Sequence, residues 1–266
     1  MLGDPIDHSL SPILHRAGYA AAGLEWSYTA HRVNEEELAG FLGALDDSWR
    51  GFSLTMPLKR ALLPLVDEVS ETARLAGGAN TLLLRSDGTR LADNTDVPGA
   101  VAALRERFDG TLESATILGG GATATSLGMA FTALGARTLR LLVRSPERAV
   151  ETRTALAALP EGPAIEVGIL GSDQVVGDAV ASTIPASAQS QELVASCAGA
   201  KVLFEAIYDP WPTPLAAAAT ALGQPLVSGL DLLIHQAALQ FTLFTGEPAP
   251  LATMRAAGEW ALAQRG

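Results

Sequence analysis

The chain of 266 residues contains only one cysteine, Cys197. A single thiol excludes an internal disulfide and any metal site built from several thiolates, and it suits a reducing compartment. Aromatic residues make up only 5% of the chain, and 18 basic residues face 29 acidic ones, which gives a net charge of −11. This balance opposes binding to nucleic acid and to anionic membranes, so a ligand that carries phosphate needs a local site.

Targeting signals and long apolar runs are also scarce. The first five residues, MLGDP, contain neither the basic nor the apolar region of a signal peptide, so we expect a cytoplasmic protein. Residues 114–136 form the longest uncharged stretch, but three consecutive glycines and several threonines interrupt it, which disfavours a membrane span. The four histidines show no metal-binding spacing, and no metal site is predicted.

From Thr116 onward, short apolar or β-branched runs alternate with helical patterns. The predicted strands cover residues 116–118, 139–143, 165–167, 179–181, 202–204 and 226–227. Strands that alternate with helices predict an α/β fold with a doubly wound, Rossmann-like parallel sheet.

The first hundred residues predict a second α/β unit. Asp87-Gly88 lies between two apolar runs and predicts a hairpin with a two-residue primed turn. Only two residues precede Gly3, so the first strand is expected to be truncated. Helical patterns over residues 230–244 and 251–264 are expected to pack back on this unit. The predicted units are therefore residues 1–97, completed by 231–266, and residues 98–230.

The sequence ILGGGATA at residues 117–124 follows a predicted strand and opens an uncharged helix. It fits the G-x-G-x-x-[GA] turn of dinucleotide-binding units: Gly119 permits the tight turn, Gly121 lets a pyrophosphate approach, and Ala124 allows close helix packing. Free N–H groups at the start of the helix favour phosphates. The candidate cofactor contacts are Gly119, Gly120, Gly121, Ala122 and Thr123. The alternative is a glycine-rich turn without a ligand.

The second strand of this unit ends in basic residues, where NAD-binding proteins usually carry an acidic one. Ser145 and Pro146 are predicted to cap and begin the next helix, which puts Arg148 in its first turn, where a cation opposes the helix dipole. A bound 2′-phosphate would offset this unfavourable interaction, because its negative charge would pair with the arginine. The pattern therefore predicts NADP, clamped by Arg144 and Arg148 beside Ser145, and the alternative is a pair of solvated arginines.

Five further segments are dense in polar residues. They are SLSP at 9–12, GFSLTMPLK at 51–59, GANTL at 78–82, DNTD at 93–96 and SGLDLLIHQ at 228–236. Together with the glycine turn, and in this order, they resemble the shikimate dehydrogenase family from residue 3 to about residue 246. The run EAIYDPWPTPL at 205–215 matches the family's D-x-x-Y-x-P-x-x-T-P-L, with Glu205 in place of the aspartate.

The resemblance implies that Lys59 and Asp96 lie beside the reacting alcohol. Pro57 is predicted to begin a helix, so that Lys59 lies near the positive helix end, which favours a neutral amine able to accept a proton. Asp96 favours the charged lysine and orients it. Proton transfer would accompany hydride transfer to nicotinamide, and which of the two residues carries the proton stays open. The alternatives are an exposed lysine and a helix-capping aspartate.

The resemblance also implies the substrate and cofactor contacts. Ser9 and Ser11 are expected to bind a carboxylate with help from Tyr208, and turn capping at Ser11-Pro12 is the alternative. The residues expected on ring hydroxyls are Thr55, Asn80 and Gln236. Gly229 and Leu232 are expected to flank the nicotinamide, where Leu232 replaces a methionine of many relatives. Ile207 is a further expected cofactor contact.

The implied function is NADPH-dependent reduction of 3-dehydroshikimate to shikimate, in the pathway to chorismate and the aromatic amino acids. Residues 1–97 and 231–266 would bind this small-molecule substrate, and residues 98–230 would bind NADP, with no nucleic-acid or membrane partner and with a homodimer left open. The alternatives are a quinate or aminoshikimate dehydrogenase and a non-catalytic sensor of shikimate-type ligands. Ser11, where quinate-using relatives often have threonine, and the arginine pair weigh against quinate with NAD, whereas Lys59 weighs against the sensor.

Overall fold

The structure, a computed structural model, describes residues 1–265. It divides the chain into two units, the first made of residues 1–95 with those from Leu233 onward, and the second of Asp96–Leu232.

The first unit is built around a mixed sheet. Its elements up to the boundary are β1 (Leu2–Gly3), α1 (Ser11–Ala21), β2 (His31–Arg32), α2 (Glu35–Gly43), β3 (Gly51–Ser53), α3 (Leu58–Ala61), β4 (Glu68–Val69), α4 (Glu71–Ala76), β5 (Thr81–Leu84) and β6 (Arg90–Asp93). The sheet order is β3-β5-β6-β4, with β5 antiparallel to β3 and β6 and with β4 parallel to β6. The two-residue strand β1 pairs in parallel with β2, and Leu2 also bridges Leu54. Phe52, Leu58 and Leu82 form part of the apolar core beside this sheet.

The β5–β6 hairpin lies where the sequence predicts it, but the predicted primed turn is wrong. The last strand pair leaves residues 85–89 as the loop. The Gly88 N–H donates to the Arg85 carbonyl, and the Arg85 N–H donates to the Thr89 carbonyl. Gly88 has a φ of +87°, whereas Asp87 does not have a positive φ. A type I′ turn needs a positive φ at both central residues, and here only Gly88 has one. The loop is therefore a type I turn followed by a glycine in the left-handed conformation.

The second unit alternates strands and helices. Its elements are α5 (Asp96–Arg107), β7 (Ser114–Leu118), α6 (Ala122–Ala133), β8 (Thr138–Val143), α7 (Val150–Ala157), β9 (Ala164–Ile169), β10 (Ala179–Ser182), α8 (Gln191–Ser196), β11 (Val202–Glu205), α9 (Pro214–Leu222) and β12 (Leu226–Ser228). The chain continues with α10 (Gly229–Thr245) and α11 (Leu251–Ala263). Because α11 packs against α1, the prediction that the terminal helices return to the first unit is confirmed.

The six strands of the second unit form one parallel sheet in the order β12-β11-β10-β7-β8-β9. The α/β fold with a doubly wound sheet is therefore confirmed, and each strand lies where the sequence predicts it. Strands such as β11 are buried along their whole length, as expected when helices cover both faces. The chain turns from one side of β7 to the other between β9 and β10, so the switch point, where such folds bind ligands, lies between β7 and β10.

Candidate active site

The glycine turn after β7 is tightly packed on two sides. Gly119 has a φ of +120°, and a Cβ there would collide with Oγ1 of Thr183, the residue that follows β10. The Thr183 hydroxyl donates to the Leu118 carbonyl over 3.0 Å, which ties the ends of β7 and β10 together. A Cβ at Gly120 would collide with the backbone carbonyl of Arg148. Side chains are therefore excluded at both positions by the protein itself.

Gly121 differs from its two neighbours. It is the N-cap of α6 with an extended backbone, φ −95° and ψ −173°, and a Cβ built there meets no atom within 4 Å. Nothing in the folded protein requires a glycine at this position. The open space lies at the start of a 12-residue helix, next to Ala122 and Thr123, where free N–H groups attract anions. The turn therefore fits the pyrophosphate of a dinucleotide.

The segment after β8 departs from the predicted geometry. Pro146–Ala149 form a 3₁₀ turn, with Ser145 at its N-cap and no capping hydrogen bond from the Ser145 side chain, and the α-helix begins only at Val150. Ser145 and Pro146 thus cap and begin the next helix with Arg148 in its first turn, as predicted, but this helix is a four-residue 3₁₀ turn. Arg144 and Arg148 are exposed, and the Arg148 backbone packs on the glycine turn.

Thr152, on α7, supports the same turn. Its buried hydroxyl lies 3.0 Å from the Gly120 carbonyl and 2.9 Å from the Thr125 hydroxyl. The glycine turn, α6 and α7 are thereby joined by one side chain. No sequence pattern pointed to Thr152, because a lone threonine inside a helix carries no signal.

Ile207 and Gly229 lie together at the carboxyl ends of β11 and β12. A Cβ at Gly229 would collide with the Ala206 carbonyl and would lie 3.1 Å from the Ile207 carbonyl carbon. Tyr208 follows and is half-buried, and Leu232 is buried on α10. Of the expected cofactor contacts, Ile207 and Gly229 therefore lie next to each other within the second unit.

Asn80 is the centre of a buried polar cluster in the first unit. Its Nδ2 donates to Oγ1 of Thr95 over 2.9 Å and to Oε1 of Gln236 over 3.1 Å. Its Oδ1 accepts from the Thr95 N–H over 2.8 Å and from the Thr81 hydroxyl over 2.8 Å. The structure thus brings together Asn80 and Gln236, which are 156 positions apart in the chain.

Lys59 is fixed beside this cluster through its backbone. Its carbonyl accepts from the Ala79 N–H over 2.7 Å, immediately before Asn80. The predicted role of the helix dipole is not supported: α3 has only four residues, and Pro57 is its N-cap rather than its first residue. One turn aligns few peptide dipoles. Thr55 begins the same turn, since its carbonyl accepts from the Leu58 N–H over 2.9 Å.

Ser9 and Ser11 lie together at the start of α1. The Ser9 hydroxyl accepts from the Ser11 N–H over 3.2 Å. The N-cap of α1 is Leu10, without a side-chain capping bond, so capping by the Ser11 hydroxyl is not observed. Ser11 is buried and Ser9 half-buried.

Asp96 is the first residue of α5 and is buried. It belongs to the second unit, whereas Lys59 belongs to the first, so each is placed within its own unit. In the chain it directly follows Thr95 of the polar cluster.

Several polar residues join these groups without having been named from the sequence. Thr95 lies inside the polar segment DNTD and therefore carried a weak signal, and Thr183 lies just after the predicted strand at residues 179–181. Gln240 lies one helical turn after Gln236 and donates to the Asn80 carbonyl over 3.0 Å and to Thr81 Oγ1 over 2.9 Å. Its helical spacing from Gln236 was the only hint.

Within residues 1–265, no group of three or more histidine, cysteine or acidic side chains is arranged to hold a metal ion. Over the same residues, no helix has the length and apolar character needed to cross a membrane.

The parallel sheet, its glycine turn and the separate polar cluster define a class of protein: an α/β dehydrogenase with a dinucleotide-binding unit and a second unit suited to a polar substrate. The model of the shikimate dehydrogenase substrate-binding domain matches residues 1–82, and that of the shikimate 5′-dehydrogenase C-terminal domain matches residues 229–257. A shikimate dehydrogenase (NADP⁺) from Moorella thermoacetica is 35% identical over 96% of this chain and 90% of its own length. The chain belongs to the shikimate dehydrogenase family.

Further relatives and solved structures support the same family assignment. A shikimate dehydrogenase (NADP⁺) from Desulfitobacterium hafniense is 33% identical over 99% of this chain and 97% of its own length. Among solved structures, Mycobacterium tuberculosis shikimate dehydrogenase has a TM-score of 0.88 and 36% identity, with 97% of each chain covered. The Thermus thermophilus enzyme, solved in complex with NADP(H) and shikimate, has a TM-score of 0.82 and 28% identity, with 98% of this chain and 97% of that chain covered.

Proposed function

We propose that this chain is an NADP-dependent shikimate dehydrogenase that reversibly reduces 3-dehydroshikimate to shikimate. One observation carries the proposal: within a chain of this family, an open glycine turn suited to a dinucleotide occurs together with the buried cluster of Asn80, Thr95 and Gln236. The first suits the cofactor, and the second suits a substrate with several hydroxyl groups.

NADP is held at the glycine turn of the second unit. The backbone of Gly121, Ala122 and Thr123 faces the pyrophosphate, because Gly121 has open space at the start of α6. Arg144 and Arg148 bind the 2′-phosphate, with Ser145 between them as a neutral donor. Ile207, Gly229 and Leu232 flank the nicotinamide. NADPH supplies the hydride for the carbonyl carbon of the substrate.

Lys59 supplies the proton that the reduction also needs. The ammonium of Lys59 would give a proton to the carbonyl oxygen as the carbonyl carbon is reduced, and in the reverse reaction the neutral amine would take the proton back from the hydroxyl. Asp96, the buried first residue of α5, is the second residue proposed to take part in the proton transfer.

Neutral side chains bind the rest of the substrate. The hydroxyls of Ser9 and Ser11 bind the carboxylate, and Thr55, Asn80 and Gln236 bind the ring hydroxyls. Tyr208 is proposed as a further substrate-binding residue. A buried site that pairs each hydroxyl rejects an analogue without it by about 10⁴-fold, because a protein group is then left desolvated without a partner. Asn80 and Gln236 are buried, and a substrate hydroxyl that binds Asn80 would replace one of its hydrogen bonds to Thr95 or Gln236.

The test is a matrix of initial rates with shikimate, quinate and aminoshikimate, each with NADP⁺ and with NAD⁺. The proposal predicts the highest kcat/KM for shikimate with NADP⁺. A preference for quinate or aminoshikimate would assign the chain to another activity of the family, and tight shikimate binding without turnover would assign it to a sensor. A preference for NAD⁺ would contradict the arginine clamp.

The proposal extends to the setting of the enzyme. Residues 1–97 and 231–266 form the substrate-binding unit, residues 98–230 form the NADP-binding unit, the enzyme works in the cytoplasm, and its assembly is a homodimer. Light scattering of the purified chain tests the last point, and a monomer at all concentrations would reject it.

A further inference from the structure

We infer that Glu205 is a positioning residue for this reaction. Its carboxylate fixes the loop of residues 206–212, which carries Ile207 and Tyr208, without itself touching substrate or cofactor. The inference rests on the proposed function for the roles of Ile207 and Tyr208.

The carboxylate of Glu205 connects the two ends of that loop. Glu205 is the last residue of β11 and is 0% exposed. Its Oε1 accepts from the Ile207 N–H over 3.1 Å at the start of the loop. Its Oε2 accepts from the Thr213 hydroxyl over 2.9 Å just after the loop and from Nε2 of Gln189 over 2.7 Å. One side chain therefore closes the loop at both ends.

Two of the three donors around Glu205, Thr213 and Gln189, are themselves hydrogen-bonded to α9. The Thr213 hydroxyl also caps this helix by accepting from the Ala216 N–H over 3.2 Å. Oε1 of Gln189 accepts from the Leu215 N–H over 3.0 Å. Burial raises the pKa of Glu205, and the surrounding hydrogen bonds oppose that rise. A buried carboxylate is tolerated only when hydrogen-bond donors surround it. The three donors to Glu205 meet this requirement.

The loop leads directly to the surface assigned to the nicotinamide. The Ala206 carbonyl and Ile207 lie against Gly229, which leaves no space for a side chain there. A shift of the loop would therefore move Ile207 relative to the start of α10. Hydride transfer needs close and aligned reactants, and a misplacement of about 1 Å can cost about 10²-fold in rate.

The test compares Glu205→Gln with a matched control, Asp178→Asn. The glutamine keeps the volume, but its amide N–H groups must face donors where the carboxylate accepts. Asp178 lies at the opposite end of the same sheet, before β10, where it accepts from the Glu113 N–H over 2.8 Å and pairs with Lys201 over 2.8 Å. The control thus removes a hydrogen-bonded carboxylate from the same unit, away from the loop.

We expect Glu205→Gln to lower kcat at least about tenfold and to raise the primary deuterium isotope effect on kcat, measured with 4-deuterated NADPH. The affinity for NADPH should stay within about threefold of the parent value, since the glycine turn is held by other residues. Amide hydrogen exchange should increase across residues 206–213 and stay unchanged in the strands. Asp178→Asn should keep the parent kcat and isotope effect, and Glu205→Asp, which keeps the charge, should retain more kcat than Glu205→Gln.

Parent-like kcat, isotope effect and exchange in Glu205→Gln would overturn the inference, and so would equal kinetic losses in Asp178→Asn. If Glu205→Gln does not fold, Thr213→Val removes one donor at constant volume, and it must raise exchange in the loop and the isotope effect. If the parent binds NADPH but does not turn over shikimate, the proposed function fails. Hydrogen exchange then still decides whether Glu205 fixes the loop.

Discussion

Replacing Gly121 by alanine should weaken NADPH binding while leaving the stability of the fold nearly unchanged. The backbone there, φ −95° and ψ −173°, suits alanine, and the added methyl group meets no atom within 4 Å. Reduced freedom of the unfolded chain favours folding by about 0.4–1 kcal/mol, and the poorer N-cap costs about 0.5–1 kcal/mol. The free energy of unfolding should therefore change by less than about 1 kcal/mol. The methyl group occupies the space assigned to the pyrophosphate, so NADPH should bind at least about tenfold more weakly, which is about 1.4 kcal/mol.

The assay pairs NADPH titration by fluorescence with urea unfolding of the free protein. Gly199→Ala is the matched control, because Gly199 is exposed in the same unit and its added Cβ also meets open space. It should leave NADPH binding unchanged. Gly120→Ala should instead lose about 1–3 kcal/mol of stability, since its methyl group meets a backbone carbonyl. Parent-like NADPH affinity in Gly121→Ala would refute the placement of the pyrophosphate.

The remaining predictions concern the proton, the 2′-phosphate and the core. Lys59→Ala should lower kcat at least about 10²-fold with a much smaller change in KM, and steady-state rates that survive the change would reject the lysine as acid and base. Arg144→Ala combined with Arg148→Ala should weaken NADP⁺ binding at least about tenfold and leave NAD⁺ binding nearly unchanged, because only NADP⁺ offers a 2′-phosphate, and equal losses for both would contradict the clamp. Burial lowers the pKa of His15 to about 3 from 6.5, so the folded protein resists the proton that the unfolded chain takes up, and stability is lost as the pH falls from about 6.5 towards 3. Between pH 7 and pH 5, the free energy of unfolding of the parent should fall by about 2 kcal/mol more than that of His15→Leu, and parallel pH profiles in urea unfolding would contradict this.

The sequence predicted the parallel sheet because its signals are local and repeated. Apolar runs such as residues 202–204 mark buried strands, and the glycine turn follows the first of them as the motif requires. The order of the strands then follows from the handedness and switch rules of such folds. Asn80 and Gln236 were named from the family resemblance, and the structure places them in one cluster.

Other features depend on packing that no local pattern encodes. Whether a proline leads into a long helix or a single turn depends on what the following residues contact. Pro57 is the N-cap of a four-residue helix, and Pro146 begins a four-residue 3₁₀ turn. The primed turn at Asp87-Gly88 failed because strand register, which long-range pairing sets, left a longer loop. The hydroxyl of Thr152 bonds to Gly120, 32 positions away in the chain, and the Glu205 carboxylate bonds at once to Gln189, Ile207 and Thr213. Such contacts become visible only when the fold brings the segments together.

The most direct test of the central claim follows a single hydrogen atom. The purified protein is incubated with 3-dehydroshikimate and NADPH deuterated at the transferable position of the nicotinamide, and the product is identified by mass spectrometry and NMR. We expect shikimate with one deuterium on the carbon that carried the ketone. Unchanged 3-dehydroshikimate, or shikimate without deuterium at that carbon, would contradict it.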